Sequence, residues 1–246
     1  MIKLPSIFSI FLLALSFLVT DLKAAPSNLL LIPESVALAD YQSKAISRPS
    51  AVDPKVYEQT IGNWGHFWWK WLGKFASAHD PNLQSGKVNC ASGQTGKVWF
   101  LANAFGGIYQ RSCVIPQNTA LFIPIFNTIF WTPAPGATFG CKNEKHCRVV
   151  ADSVISDLID YSCTLDGNPC SLHYPIIKAQ SDTLPFTIKD DSTFTTWGEI
   201  PSTRSISISD GYWVMLAPLK KGKHQLHFTA TTDSYSHDIT YNLTVH

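Results

Sequence analysis

The 246-residue chain has no apolar segment long enough to cross a bilayer as a helix: its longest such run, Ile7 to Val19, is 13 residues, against the roughly 20 that a span requires. Charge is scarce too. Asp, Glu, Lys and Arg make up 15% of the residues and the formal net charge is +1, so the chain lacks the basic footprint that phosphate backbones demand, and nucleic acid is excluded as a partner. Two catalytic signatures are missing. There is no G-x-S-x-G elbow to expose a serine nucleophile and no H-E-x-x-H to hold zinc on a helix.

What is present begins with a leader. Lys3, the apolar run and Leu22-Lys23-Ala24 form a signal-peptide pattern over residues 1 to 24, which predicts cleavage after Ala24 and export to the periplasm or beyond. No cysteine stands at the cut, so a lipid anchor is not expected. Residues 25 to 53 mix Pro, Ser and Ala without a period and read as an extended or disordered lead. The remaining segment, 54 to 246, is long enough to bury one sizeable core.

All six cysteines lie in that segment, at 90, 113, 141, 147, 163 and 170. An even count in an exported chain reads as disulfides rather than metal, because five residues between Cys141 and Cys147 and six between Cys163 and Cys170 fit no common zinc site. Cys163 and Cys170 flank Asp166-Gly167, a hairpin turn that brings them opposite each other. The expected pairs are Cys163 with Cys170, Cys141 with Cys147, and Cys90 with Cys113.

Half of the eight tryptophans stand in Trp64-Gly65-His66-Phe67-Trp68-Trp69-Lys70-Trp71. At about 100° per residue, Ile61, Trp64, Trp68, Trp71, Leu72 and Phe75 share one stripe, so the segment from about Pro54 to Ala78 reads as an amphipathic helix. Trp69 lies outside that stripe, beside Gly62, Gly65, His66, Gly73 and Ala76. Each glycine costs about 1 kcal/mol relative to Ala in a helix interior, so this helix depends on packing. Asp80-Pro81 ends it.

Beyond it the sequence turns to strands. Residues 97–101 and 120–126 are β-branched and aromatic runs bounded by Gly and Pro, and Pro124 implies an edge position or a bulge. Residues 148–160 return to a helical period, with Val150, Val154 and Leu158 inward and Ile155 and Ile159 as further candidates for that face. A hairpin from Tyr161 to Tyr174 follows, then strands at 184–189, 212–217, 225–231 and 239–245. The last alternates Ile239, Tyr241, Leu243 and Val245 against Thr240, Asn242 and Thr244, as a half-buried antiparallel strand does. The fold class expected is mainly β: a single-domain antiparallel β-sandwich or jelly roll with two helices, stapled by disulfides.

Several segments together resemble a family of uncharacterised exported bacterial proteins. They are Trp68-Trp69-Lys70-Trp71, Asn89-Cys90, Gly93-Gln94-Thr95-Gly96-Lys97-Val98-Trp99-Phe100-Leu101, Arg111-Ser112-Cys113-Val114-Ile115-Pro116, Ala120-Leu121-Phe122-Ile123-Pro124, Leu165-Asp166-Gly167, Asp210-Gly211-Tyr212-Trp213-Val214-Met215-Leu216 and Pro218-Leu219-Lys220-Lys221-Gly222-Lys223-His224. The resemblance implies export and a common fold but brings no activity with it. Lys97 departs from the pattern, where a Pro is expected. Cys141 and Cys147 fall in what looks like an inserted loop, so their pairing borrows nothing from the family.

Two groups of residues qualify as ligand contacts. Trp69 with His66 offers an aromatic face for the apolar side of a sugar ring; alternatively, the sheet wraps the helix on both sides and Trp69 is core. Gln94, Asn103 and Arg111 form the second group, a polar cluster at one end of the sandwich, against the plainer reading of a turn and a salt-bridging arginine. His224, His227 and His237 sit close in sequence, but strand alternation points His224 and His227 to opposite faces, so no metal is expected. Asp80, Asp152, Asp157, Asp160, Glu199 and Asp210 converge, if at all, only in the fold. The chain thus reads as an exported binding protein for a carbohydrate or cell-envelope component, with no cofactor and no assigned catalytic residue. The alternatives are a secreted hydrolase whose site is assembled in the fold, or a structural or adhesive protein that binds a partner chain.

Overall fold

The computed structural model describes residues 57–137 and 140–246; the expected leader and lead segment lie outside them. Helix α1, Ile61–Leu72, opens the described chain. Thr60 caps it, its Oγ1 accepting from the Asn63 amide at 3.1 Å, so the helix begins seven residues later than its periodicity suggests. It ends at Gly73, whose amide bonds back to Trp69. Two short 3₁₀ turns, Ser77–His79 and Pro81–Leu83, carry the chain onward.

The strands are β1 Gly86–Lys87, β2 Val98–Phe100, β3 Gly107–Ile115, β4 Ala120–Trp131, β5 Asp160–Leu165, β6 Asn168–Pro169, β7 Ile177–Gln180, β8 Leu184–Ile188, β9 Ser202–Leu216, β10 Gly222–Thr231 and β11 Ser236–Val245. Helix α2 is Glu144–Ser156 and a short α3 is Thr193–Thr196. One sheet runs β1-β3-β11-β10-β5-β6; the other runs β2-β4-β9-β7, with β8 also paired to β9. This is a mainly β, sandwich-like domain, but its sheets are mixed. The pairs β1–β3, β3–β11 and β2–β4 are parallel, because β3 crosses to the opposite sheet between β2 and β4 and the final strand returns beside it. The expected sandwich is borne out, with most of its pairs antiparallel and the parallel pairs added to them.

Two apolar layers follow. Between the sheets, Leu121, Ile123 and Ile125 of β4 meet Leu226, Phe228, Ile239, Tyr241 and Leu243. On the outer face of the five-stranded sheet, Phe122 and Trp213 meet Ile61, Trp68, Trp69 and Trp71 of α1. Strand β4 is therefore buried on both faces, as its unbroken apolar sequence implies. Pro124 marks a bulge within it: Pro124 pairs with Trp213 and Phe126 with Tyr212, leaving Ile125 as the extra residue. A proline is tolerated there because it has no amide to give to the ladder.

The strand β3 carries no legible alternation, because its inward positions are Arg111, Cys113 and Ile115, while Ile108 and Val114 stand exposed. In β9, Asp210-Gly211 reads as a turn yet lies mid-strand. A Cβ on Gly211 would come within 2.7 Å of the Phe126 carbonyl, so glycine here serves close approach. Helix α2 starts four residues earlier than its period suggests, at the Asn143 cap. It faces inward with Cys147 and Ala151 as well as the expected Val150, Val154 and Ile155, whereas Ile159, also a candidate for that face, lies beyond its end and exposed. All three disulfides pair as expected, Cys90–Cys113, Cys141–Cys147 and Cys163–Cys170.

Candidate functional site

Trp69 is 7% exposed and His66 is fully buried. The expectation of an open Trp69 face is corrected: β8 and α3 close over the glycine side of α1, placing Phe194 6.0 Å from Trp69 and Phe186 6.2 Å from His66. The ring is core. His66 Nε2 lies 3.3 Å from the Pro185 carbonyl, and burial holds its pKa down at about 4. Trp69→Ala is therefore expected to remove about 3–5 kcal/mol of stability, measured by urea unfolding. A variant as stable as the parent would show that the ring packs against nothing of consequence.

Gln94 and Asn103 also turn inward. Gln94 closes a two-way bond to Phe100, donating from Nε2 to its carbonyl at 2.7 Å and accepting from its amide at 3.0 Å. It fixes the loop before β2 rather than facing a ligand. Asn103 is buried, donating to the Pro124 carbonyl at 3.2 Å and accepting from the Ala104 amide. Neither side chain lines the pocket described next.

Arg111 does. Its guanidinium is 1% exposed and spends four N–H groups on neutral acceptors: the carbonyls of Gln84 at 2.8 Å, Ala102 at 2.8 Å and Asn82 at 3.1 Å, and the Tyr241 hydroxyl at 2.9 Å. The rings of Tyr109 and Tyr241 lie 4.8 and 5.4 Å from its central carbon. The arginine clamps the 3₁₀ turns against the end of the sandwich. Asp80 anchors the same turns from the other side, bonding Thr193 and the Asn82 amide, and its burial raises its pKa above the ordinary carboxylate range.

Above this clamp lies a cavity of about 280 Å³. Its lining includes Trp71, Phe75 and Phe100, Val88 and Cys90, and Arg111 with Tyr241. This lining is fixed in place: Trp71 Nε1 donates to the Ser92 carbonyl at 3.0 Å, and the Cys90–Cys113 disulfide ties the 88–92 segment to β3. Polar groups at the cavity are His79, Gln84, Asn89 and Ser92; no Asp or Glu is among its lining residues. Phe75 and Phe100 are half-buried, Phe75 packing on Trp71 and Phe100 on Trp64, Trp71 and Phe122.

The other chemistries weighed from sequence do not meet there. None of Asp80, Asp152, Asp157, Asp160, Glu199 and Asp210 lines the cavity. Glu199 pairs with buried Arg204 at 3.2 Å, and Asp152 pairs with Lys178 at 2.6 Å. His224 bonds Asp166 and the Lys220 carbonyl, while His227 bonds Asp238. Among the described residues no group of three His, Cys, Asp or Glu side chains is placed to hold a metal ion, and no helix is long and apolar enough to cross a membrane.

No family model and no curated protein matches the chain. A solved structure titled "Solution Structure of Amebosin" aligns with 66% of this chain and 99% of its own, at 7% identity and a TM-score of 0.20. That score carries no argument about fold or function.

The sequence singled out Arg111 but missed the aromatic wall. Phe75 and Phe100 read as packing residues, and half-burial on a cavity leaves no mark on a hydrophobic period. Tyr241 sits at an inward strand position as expected, and only the fold shows its hydroxyl bonding Arg111.

Proposed function

We propose that this is an exported binding protein and that its ligand, a single-ring sugar or a fragment of the cell envelope, seats in the cavity above Arg111. The observation that carries the reading is the cavity itself: half-buried Phe75 and Phe100 line it together with polar groups, in a volume just under the range usual for ligand pockets, which limits the ligand to a small one. Flat rings cover the apolar side of a pyranose while nearby polar groups take its hydroxyls. Disulfides and the exported-family resemblance support an oxidising compartment.

Titration with N-acetylglucosamine and N-acetylmuramic acid, followed by ¹H–¹⁵N NMR, tests this. Binding of either should shift the Trp71 indole N–H, and Phe75→Ala should weaken that binding at least tenfold while leaving the fold intact. Sugar binding that is unchanged in Phe75→Ala would move the site elsewhere.

A further inference from the structure

We infer that the cavity selects a sugar bearing a carboxylate, recognised by Arg111; this rests on the binding role proposed above. Three observations point the same way. First, a guanidinium carries five N–H donors, and four of Arg111's have partners, which leaves one on Nη2 without an acceptor among the described residues. Second, every one of those partners is neutral, and among the described residues no carboxylate pairs with Arg111. Third, no acidic residue lines the cavity in which this buried cation sits.

Burying a cation without a counter-charge is costly, and carbonyl dipoles offset that cost only in part. Asp80 lies near enough to feel the arginine's charge and offsets part of that cost, but its oxygens bond Thr193 and the Asn82 amide rather than the guanidinium. A ligand carboxylate would fill the remaining donor and supply a directly bonded counter-charge within a rigid, largely desolvated site. Charge-assisted bonds of that kind are about twice as strong as neutral ones. The aromatic wall then takes the ring of the same ligand, so that Phe75 and Phe100 supply contact area and Arg111 supplies selection. A neutral sugar could offer that donor a hydroxyl oxygen but would leave the charge without a bonded partner.

The test uses matched pairs that differ in the carboxylate: glucuronate against glucose, and N-acetylmuramic acid against N-acetylglucosamine, each titrated into the intact protein. Two resonances are followed, the Trp71 indole N–H and the Arg111 Nε–H. The acidic member of each pair should bind at least tenfold more tightly, and only the acidic member should move Arg111 Nε–H strongly. Arg111→Lys should cut the acidic preference below threefold. Because Arg111 also clamps the turns, a variant that fails to fold leaves the wild-type comparison to decide. Equal affinity within each pair would overturn acidic selection while leaving the cavity as a sugar site. No shift of Trp71 with any of the four would overturn both.

Discussion

Replacing Gly62 and Gly65 together by alanine is expected to abolish folding, although helix propensity predicts a gain of about 1 kcal/mol at each site. The sign reverses because α1 lies directly on the sheet. A Cβ at Gly62 would fall 1.9 Å from the Gln180 carbonyl oxygen of β7, and one at Gly65 would fall 2.4 Å from the Trp213 ring. Neither neighbour yields readily: the first is backbone, and the second is fully buried and tied by its indole N–H to the Ala179 carbonyl. Overpacking of this kind costs about 3 kcal/mol or more for each substitution, and the pair consumes much of a typical domain's stability. Gly73→Ala is the internal control. Its Cβ would meet nothing closer than 3.4 Å, so urea unfolding should place it within about 1 kcal/mol of the parent. Tolerance of the Gly62 and Gly65 changes would mean that the helix stands further from the sheet than described.

Acid should destabilise the domain between pH 7 and pH 4, because two buried histidines outweigh the opposing carboxylates Asp210 and Asp80, both raised by burial. Burial lowers the pKa of His66 from 6.5 to about 4, with a smaller push from Lys70. Burial does the same to His237, against an opposing contact with the Ile125 carbonyl. For each, the folded pKa is below the unfolded one, so stability is complete above pH 6.5 and is lost as pH falls toward 4. Each histidine contributes about 3 kcal/mol over that window. Asp210 runs the other way. Burial raises its pKa to about 6 despite the Gln180 bond, so the folded state gains about 3 kcal/mol as pH falls from 6 to the unfolded value near 4. Urea unfolding at several pH values should therefore show a net loss on acidification in the parent. The His66→Phe/His237→Phe double variant should show a gain instead. A double variant that kept the parent's acid slope would place the titration on other residues.

Those buried groups show where sequence reasoning reaches and where it stops. The stripe of Trp68, Trp71 and Leu72 on α1 was legible, because a single packing surface imposes a 3.6-residue period. Trp69 and His66 were not, because β8 and α3 come from more than 100 residues away and close a second surface that no local period records. The Cys163–Cys170 pair was legible from its hairpin turn, since a short loop restricts partners, whereas Cys90–Cys113 spans 23 residues and no local signal specifies it. Strand β3 was hidden by its own function: an inward arginine reads as an outward one until Tyr241 and three carbonyls are seen around it. The parallel pairings were likewise invisible, because strand order depends on which sheet each connection crosses to.

The central claim is that ligand meets Phe75, Phe100 and Arg111 rather than Trp69, and intermolecular NOEs from bound N-acetylmuramic acid test it most directly. The account predicts contacts from the sugar ring protons to the Phe75 and Phe100 rings, with none to Trp69. Contacts to Trp69, or to neither phenylalanine, would contradict it.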